Sequence, residues 1–167
     1  MLHTLVSKLD RLMPFDTASA HCDIPCKIYD PSTAQLATLT IIRLMDLINE
    51  IKEKSALSLA DQAQLARLVA QKESHVQQVK EEVRIIWGDY FKSPQFEAHP
   101  QIHELTHTTM LKASGCSQSI ERGAAEQLLE KVNEFAEVFW STKNMATKKV
   151  ICPYPPSVLV VYPDFNA

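Results

Sequence analysis

Asp30-Pro31-Ser32-Thr33-Ala34-Gln35-Leu36-Ala37-Thr38-Leu39-Thr40-Ile41-Ile42-Arg43-Leu44-Met45-Asp46-Leu47-Ile48-Asn49-Glu50-Ile51 is the stretch from which the fold is read. Asp30 is suited to cap free amides and Pro31 suits a first helical position, so a helix opens here. Leu36, Leu39, Ile41, Ile42, Leu44, Met45, Leu47, Ile48 and Ile51 are apolar over more than one stripe. That pattern predicts a helix buried on two sides, by its own bundle and by a neighbouring subunit.

Working outward, Ser58 with Asp61 has the form of a capping box. Leu65, Leu68, Val69, Val76, Val79, Val83, Ile86 and Tyr90 follow at helical spacing. Ser93-Pro94 is expected to end this second helix. His99-Pro100 starts a shorter third helix, with Gly115 as its C-cap. A fourth, after Ser117 or Ser119, carries Leu128, Val132, Phe135, Ala136 and Phe139. Four helices with short links predict an all-α, up-down four-helix bundle. From Val150 onward Pro153, Pro155, Pro156 and Pro163 exclude helix, which predicts an irregular C-terminal tail. Val158 to Val161 is β-branched and suits an extended strand. The tail is expected either on the chain's own surface or against a neighbouring subunit.

The chain has 167 residues, 46% hydrophobic and 22% charged, which fits one domain with a real core. A net charge of −3 gives no reason to expect nucleic acid as a partner. No apolar run approaches the roughly 18 residues that span a membrane. Only three glycines occur, at 88, 115 and 123, which favours helices over many hairpins. The four cysteines, 22, 26, 116 and 152, are too few and too irregular for a disulfide framework.

The chemistry concentrates in His21-Cys22-Asp23-Ile24-Pro25-Cys26, directly behind Ala18-Ser19-Ala20. Ala-Ser-Ala is a small-residue pattern that processing proteases cut behind. A cut after Ala20 leaves His21 as the N-terminus, and brings an amine, an imidazole and two thiols into six residues. Pro25 restricts Ile24 and blocks helix continuation, so the chain curls and can return Cys26 toward a metal held by Cys22. Residues 1–20 lack the continuous apolar segment of a secretory signal and are read as a removable, cytoplasmic propeptide.

His21-Cys22-Asp23-Ile24-Pro25-Cys26 with Tyr29-Asp30-Pro31 resembles the N-terminal nickel hook of nickel superoxide dismutases. Trp87-Gly88-Asp89-Tyr90-Phe91-Lys92 and Phe139-Trp140-x-x-Lys143 resemble two further segments of that family, in the same order. The resemblance runs from His21 to about Lys143. It divides the chain into a leader (1–20), a hook plus bundle (21–145) and a C-terminal extension (146–167). It implies dismutation of superoxide to dioxygen and hydrogen peroxide, with one nickel ion per subunit and a homohexamer of bundles. It implies metal ligation by the His21 amine and imidazole, the Cys22 backbone nitrogen and thiolate, and the Cys26 thiolate. Anionic sulfur and nitrogen donors stabilise nickel's higher oxidation state, and four of them in a plane suit divalent nickel. An α-amine, with a pKa of about 7.7–8.0, gives up its proton readily. Tyr29 is implied to stand over the open face of the metal, with Asp23, Tyr90 and Lys92 around the site. Lys27 and Lys92 carry charge that attracts the superoxide anion. Two positions depart from the bacterial form: Ala37 stands where it has a glutamate near the hook histidine, and His75 where it has an arginine. His75 is therefore expected to contact the His21 imidazole, directly or through a water.

His103-Glu104-Leu105-Thr106-His107 is a literal His-Glu-x-x-His match, as zinc peptidases use, with Glu126 or Glu130 as conceivable third ligands. The Gly and His extension of the longer motif is absent: position 110 is Met and 113 is Ala. The 21–26 stretch would also suit a non-enzymatic nickel carrier, or a thiol-disulfide switch formed by Cys22 and Cys26.

Overall fold

The computed structural model describes residues 27–166. The leader and the 21–26 stretch lie outside them. Helix α1 spans Ser32–Lys52, α2 Leu59–Ile85, the short α3 Ser93–Ala98, α4 Ile102–Gln118 and α5 Arg122–Ser141. A π-helical turn, Ile86–Tyr90, follows α2 directly. α1 packs on α2 and α5, and α4 on α2 and α5, closing a four-helix bundle with α3 in one connection.

Asp30 caps as expected, with the helix opening one residue later. Its Oδ1 accepts from the Ser32 amide at 2.8 Å, so α1 begins at Ser32 with Pro31 outside. The broad apolar surface of α1 is largely covered within the chain. Ala34, Ala37, Ile41, Ile42, Met45 and Ile48 are buried between α2 and α5, while Leu36 stands 53% exposed. The Ser58 capping box is formed. Asp61 N–H donates to Ser58 Oγ at 3.2 Å, and Ser58 N–H to Asp61 Oδ2 at 3.0 Å. Hydrogen bonding from the Lys54 ammonium and from Ser58 pulls the Asp61 carboxyl down to about 2.

Three further features differ from the sequence expectation. Ser93-Pro94 opens a helix, α3, instead of ending one; α2 stops because the π-helical turn leads into extended Phe91 (φ −69°, ψ 129°). Gly115 is not a cap. α4 runs through it to Gln118, and no glycine among the described residues has positive φ. The cap comes from another helix. Lys72 of α2 is 2% exposed, and its ammonium donates to the carbonyls of Cys116 (2.5 Å), Ser117 (2.9 Å) and Ser119 (3.0 Å). A cation at a helix C-terminus satisfies its orphan carbonyls and its dipole together. Lys72→Met should therefore lower the unfolding free energy by about 3 kcal/mol, because three carbonyls lose a charged donor in a buried site. Urea unfolding measures it, and a loss below about 0.5 kcal/mol would mean water replaces the ammonium.

The third difference is the tail, which is ordered. Thr147–Ile151 (β1) pairs antiparallel with Leu159–Pro163 (β2), Val150 opposite Val160. The hairpin lies on the chain's own α5, with Val160 and Val161 each 1% exposed. Buried amides fasten it. Asn133 of α5 accepts from Val161 N–H and donates to Leu159 O, each at 3.1 Å, so its side chain pairs the β2 edge as a neighbouring strand would. Gln35 of α1 donates to Val161 O (2.8 Å) and to Asn133 Oδ1 (3.1 Å). Among the described residues no helix is long and apolar enough to cross a membrane.

Candidate metal centre

Tyr29 lies just ahead of α1, three residues past Cys26. Its ring centroid is 5.7 Å from that of Tyr90, the planes tilted by 53°. Tyr90 ends the π-helical turn. Such turns add a residue to the helical ladder and recur at functional sites. Here the turn sets Phe91 into the core, 1% exposed, and leaves Tyr90 half-buried between Tyr29 and Phe139, the latter 4.9 Å away. The Tyr90 hydroxyl is 2.6 Å from Thr142 Oγ1. Lys143 holds its ammonium 4.6 Å from the Tyr90 centroid and 4.9 Å from that of Phe139, within cation–π range. A cavity of about 160 Å³, lined by Ile28, Tyr29, Asp30, Thr33, Glu82, Ile85 and Ile86, opens at the same end of the bundle.

Of the sequence-predicted residues, the fold brings Tyr29 and Tyr90 together. Lys92 is exposed and donates to Gly88 O at 3.3 Å, folded back along its own turn. Lys27 has φ 59°, the left-handed region that favours glycine, so the chain bends sharply right behind Cys26. His75 is part-exposed on α2 with Nδ1 2.8 Å from Gln71 O, and a helical rise of about 16 Å separates it from Ile86. Ala37 is 3% exposed in the core. His21, Cys22, Asp23 and Cys26 lie outside the described residues.

Chemistry narrows the donor set. Cys116 is fully buried and burial pushes its thiol up to about 11, and Cys152 is 1% exposed in the loop of the hairpin. Neither thiol is open to solvent, and the other two cysteines, Cys22 and Cys26, lie outside the described residues. No group of three His, Cys, Asp or Glu side chains suited to a metal occurs among the described residues. The His-Glu-x-x-His stretch is an exposed face of α4. His103 Nδ1 accepts from Trp87 Nε1–H at 3.2 Å and its ring stacks on Phe96 at 4.5 Å. Glu126 is bound by Arg122 at 2.8 Å. Glu104→Gln should leave superoxide consumption within about twofold, as surface substitutions do, and zinc should confer no peptide hydrolysis. A zinc- and Glu104-dependent cleavage of a peptide substrate would reverse this assignment.

The model of the nickel-containing superoxide dismutases matches residues 16–143. The chain belongs to that family. It is 32% identical over 136 residues to the superoxide dismutase [Ni] of Streptomyces coelicolor, across 81% of this chain and 98% of that protein. It is 31% identical over the same length to that of Streptomyces seoulensis. The fold superposes on a solved native nickel superoxide dismutase with TM-score 0.66 and 27% identity, over 74% of this chain and 99% of that one. A nickel superoxide dismutase solved with the ligation of the oxidised state gives TM-score 0.65 over the same shares. The family match ends at Lys143, so the hairpin begins beyond it.

Sequence reasoning used Lys143 only as a marker of resemblance and passed over Thr142. A signal was present: Phe139, Thr142 and Lys143 are spaced i, i+3 and i+4, so both polar residues continue the core face of α5 past its last phenylalanine.

Proposed function

We propose that this nickel-dependent superoxide dismutase carries one nickel ion per subunit on His21, Cys22 and Cys26, after cleavage behind Ala20. The reading rests chiefly on one juxtaposition. The family match takes in the whole 21–26 stretch, and the chain leaves that stretch directly onto a wall made by Tyr29 and Tyr90. The donors fit nickel: a terminal amine, a backbone nitrogen and two thiolates form a soft, anionic set, with the imidazole as an added ligand. When bound, the ion supplies a couple between two oxidation states, through which one superoxide is oxidised to dioxygen and a second, with two protons, is reduced to hydrogen peroxide.

The residues of the chain do the rest. Pro25 curls the hook and Lys27 turns the chain sharply behind it. Tyr29, backed by Tyr90, would stand beside the bound metal. Lys27, Lys92 and Lys143 bias the approach of superoxide by charge. Asp23 and His75 are proposed to orient the hook, His75 against the His21 imidazole in place of the family's arginine.

Around this site we infer a leader removed by a processing protease, a cytoplasmic location and a homohexamer, with no nucleic acid or membrane partner. Reloading tests the activity. Metal-stripped protein beginning at His21 should recover superoxide consumption with nickel and not with zinc. Recovery with zinc, or none with nickel, would contradict the reading.

A further inference from the structure

We propose that Thr142 is a positioning residue of the dismutase site, fixing the Tyr90 hydroxyl as a donor to Thr142 Oγ1. Thr142 follows the last turn of α5, and its Oγ1 meets two oxygens, Phe139 O and the Tyr90 hydroxyl, each at 2.6 Å. A carbonyl oxygen only accepts. The single threonine proton is therefore committed to Phe139 O, and the short contact with Tyr90 is made by the tyrosine proton. The phenol is thus locked in direction as well as in place, with its ring held between Tyr29, Phe139 and the Lys143 ammonium. Tyr29 stands three residues past Cys26, so a rotation of Tyr90 would shift the ring it packs against at the start of the described chain. Thr142 is assigned to act through Tyr90, the side chain its Oγ1 meets.

The proposal rests on the dismutase reading above, and the test separates the two. Thr142→Val keeps the shape and removes the acceptor. In nickel-loaded protein it should lower kcat/KM about fivefold, the scale of one lost hydrogen bond to a part-buried group, with nickel content and Tm nearly unchanged. Thr142→Ser should restore the rate. In a Tyr90→Phe background Thr142→Val should have no further effect, because its only route is the phenol. Independently of activity, the tyrosine Fermi doublet in ultraviolet resonance Raman, measured with and without nickel, should report one lost donor in Thr142→Val. Equal losses in both backgrounds, or an unchanged doublet, would overturn the proposal while leaving the dismutase reading intact. A Tyr90→Phe variant of wild-type rate would also overturn it. An inactive nickel-loaded wild type would instead sink the dismutase reading.

Discussion

Cys22→Ser and Cys26→Ser should each reduce superoxide consumption to that of the nickel-free chain. A thiol near pKa 8.5 is readily deprotonated by a metal and becomes a soft, anionic donor, whereas a serine hydroxyl stays neutral and hard at neutral pH. Losing either thiolate removes the donor character that brings nickel's higher oxidation state into reach. The bundle should be untouched, because both residues precede α1 and the core is assembled from residues 34–161. Circular dichroism and Tm should match the wild type while activity disappears. His21→Gln is the graded case: it keeps the terminal amine, loses the imidazole, and should retain some nickel with most turnover gone. Wild-type rates in either serine variant would remove the hook from the mechanism.

A chain whose Ala20–His21 bond cannot be cut is expected to be inactive. Bonded to Ala20, the His21 nitrogen is an amide whose proton is far harder to displace, whereas a free α-amine with pKa about 7.7–8.0 binds after an easy proton loss; the hook would then need a second deprotonated amide beside that of Cys22. Cleavage therefore creates a ligand and does more than unmask one. The same protein carrying a protease site immediately before His21 should switch from inactive to active on digestion, with nickel uptake in step. A single extra residue left ahead of His21 should keep it off. Full activity in the uncut chain would contradict the role of the amine.

The parts of this molecule written in local sequence were legible. Ser58 and Asp61 are three residues apart and form the box their spacing predicts. The helical stripes through Val76, Val79 and Val83 and through Leu128, Val132 and Phe135 line the core they imply. The parts written by distant contacts were not. Lys72 caps α4 from 44 residues away, so no property of Gly115 or its neighbours reveals where that helix ends. β2 announces itself through Val158–Val161. Its partner Thr147-Lys148-Lys149-Val150-Ile151 carries two lysines and is largely exposed, and it pairs with a β2 that Asn133 and Gln35 hold in place. At the site, the donors of the hook are adjacent in sequence and were read as chemistry. Thr142 and Lys143 belong to it only through the fold, which swings the end of α5 against the turn after α2.

One cleaved chain, one nickel ion and the activity are proposed to go together. Intact mass, nickel content and superoxide consumption measured on a single purified sample test it most directly. The sample should have the mass of residues 21–167, one nickel per chain and activity proportional to that nickel. An active sample with the mass of residues 1–167, or with activity independent of its nickel content, would contradict it.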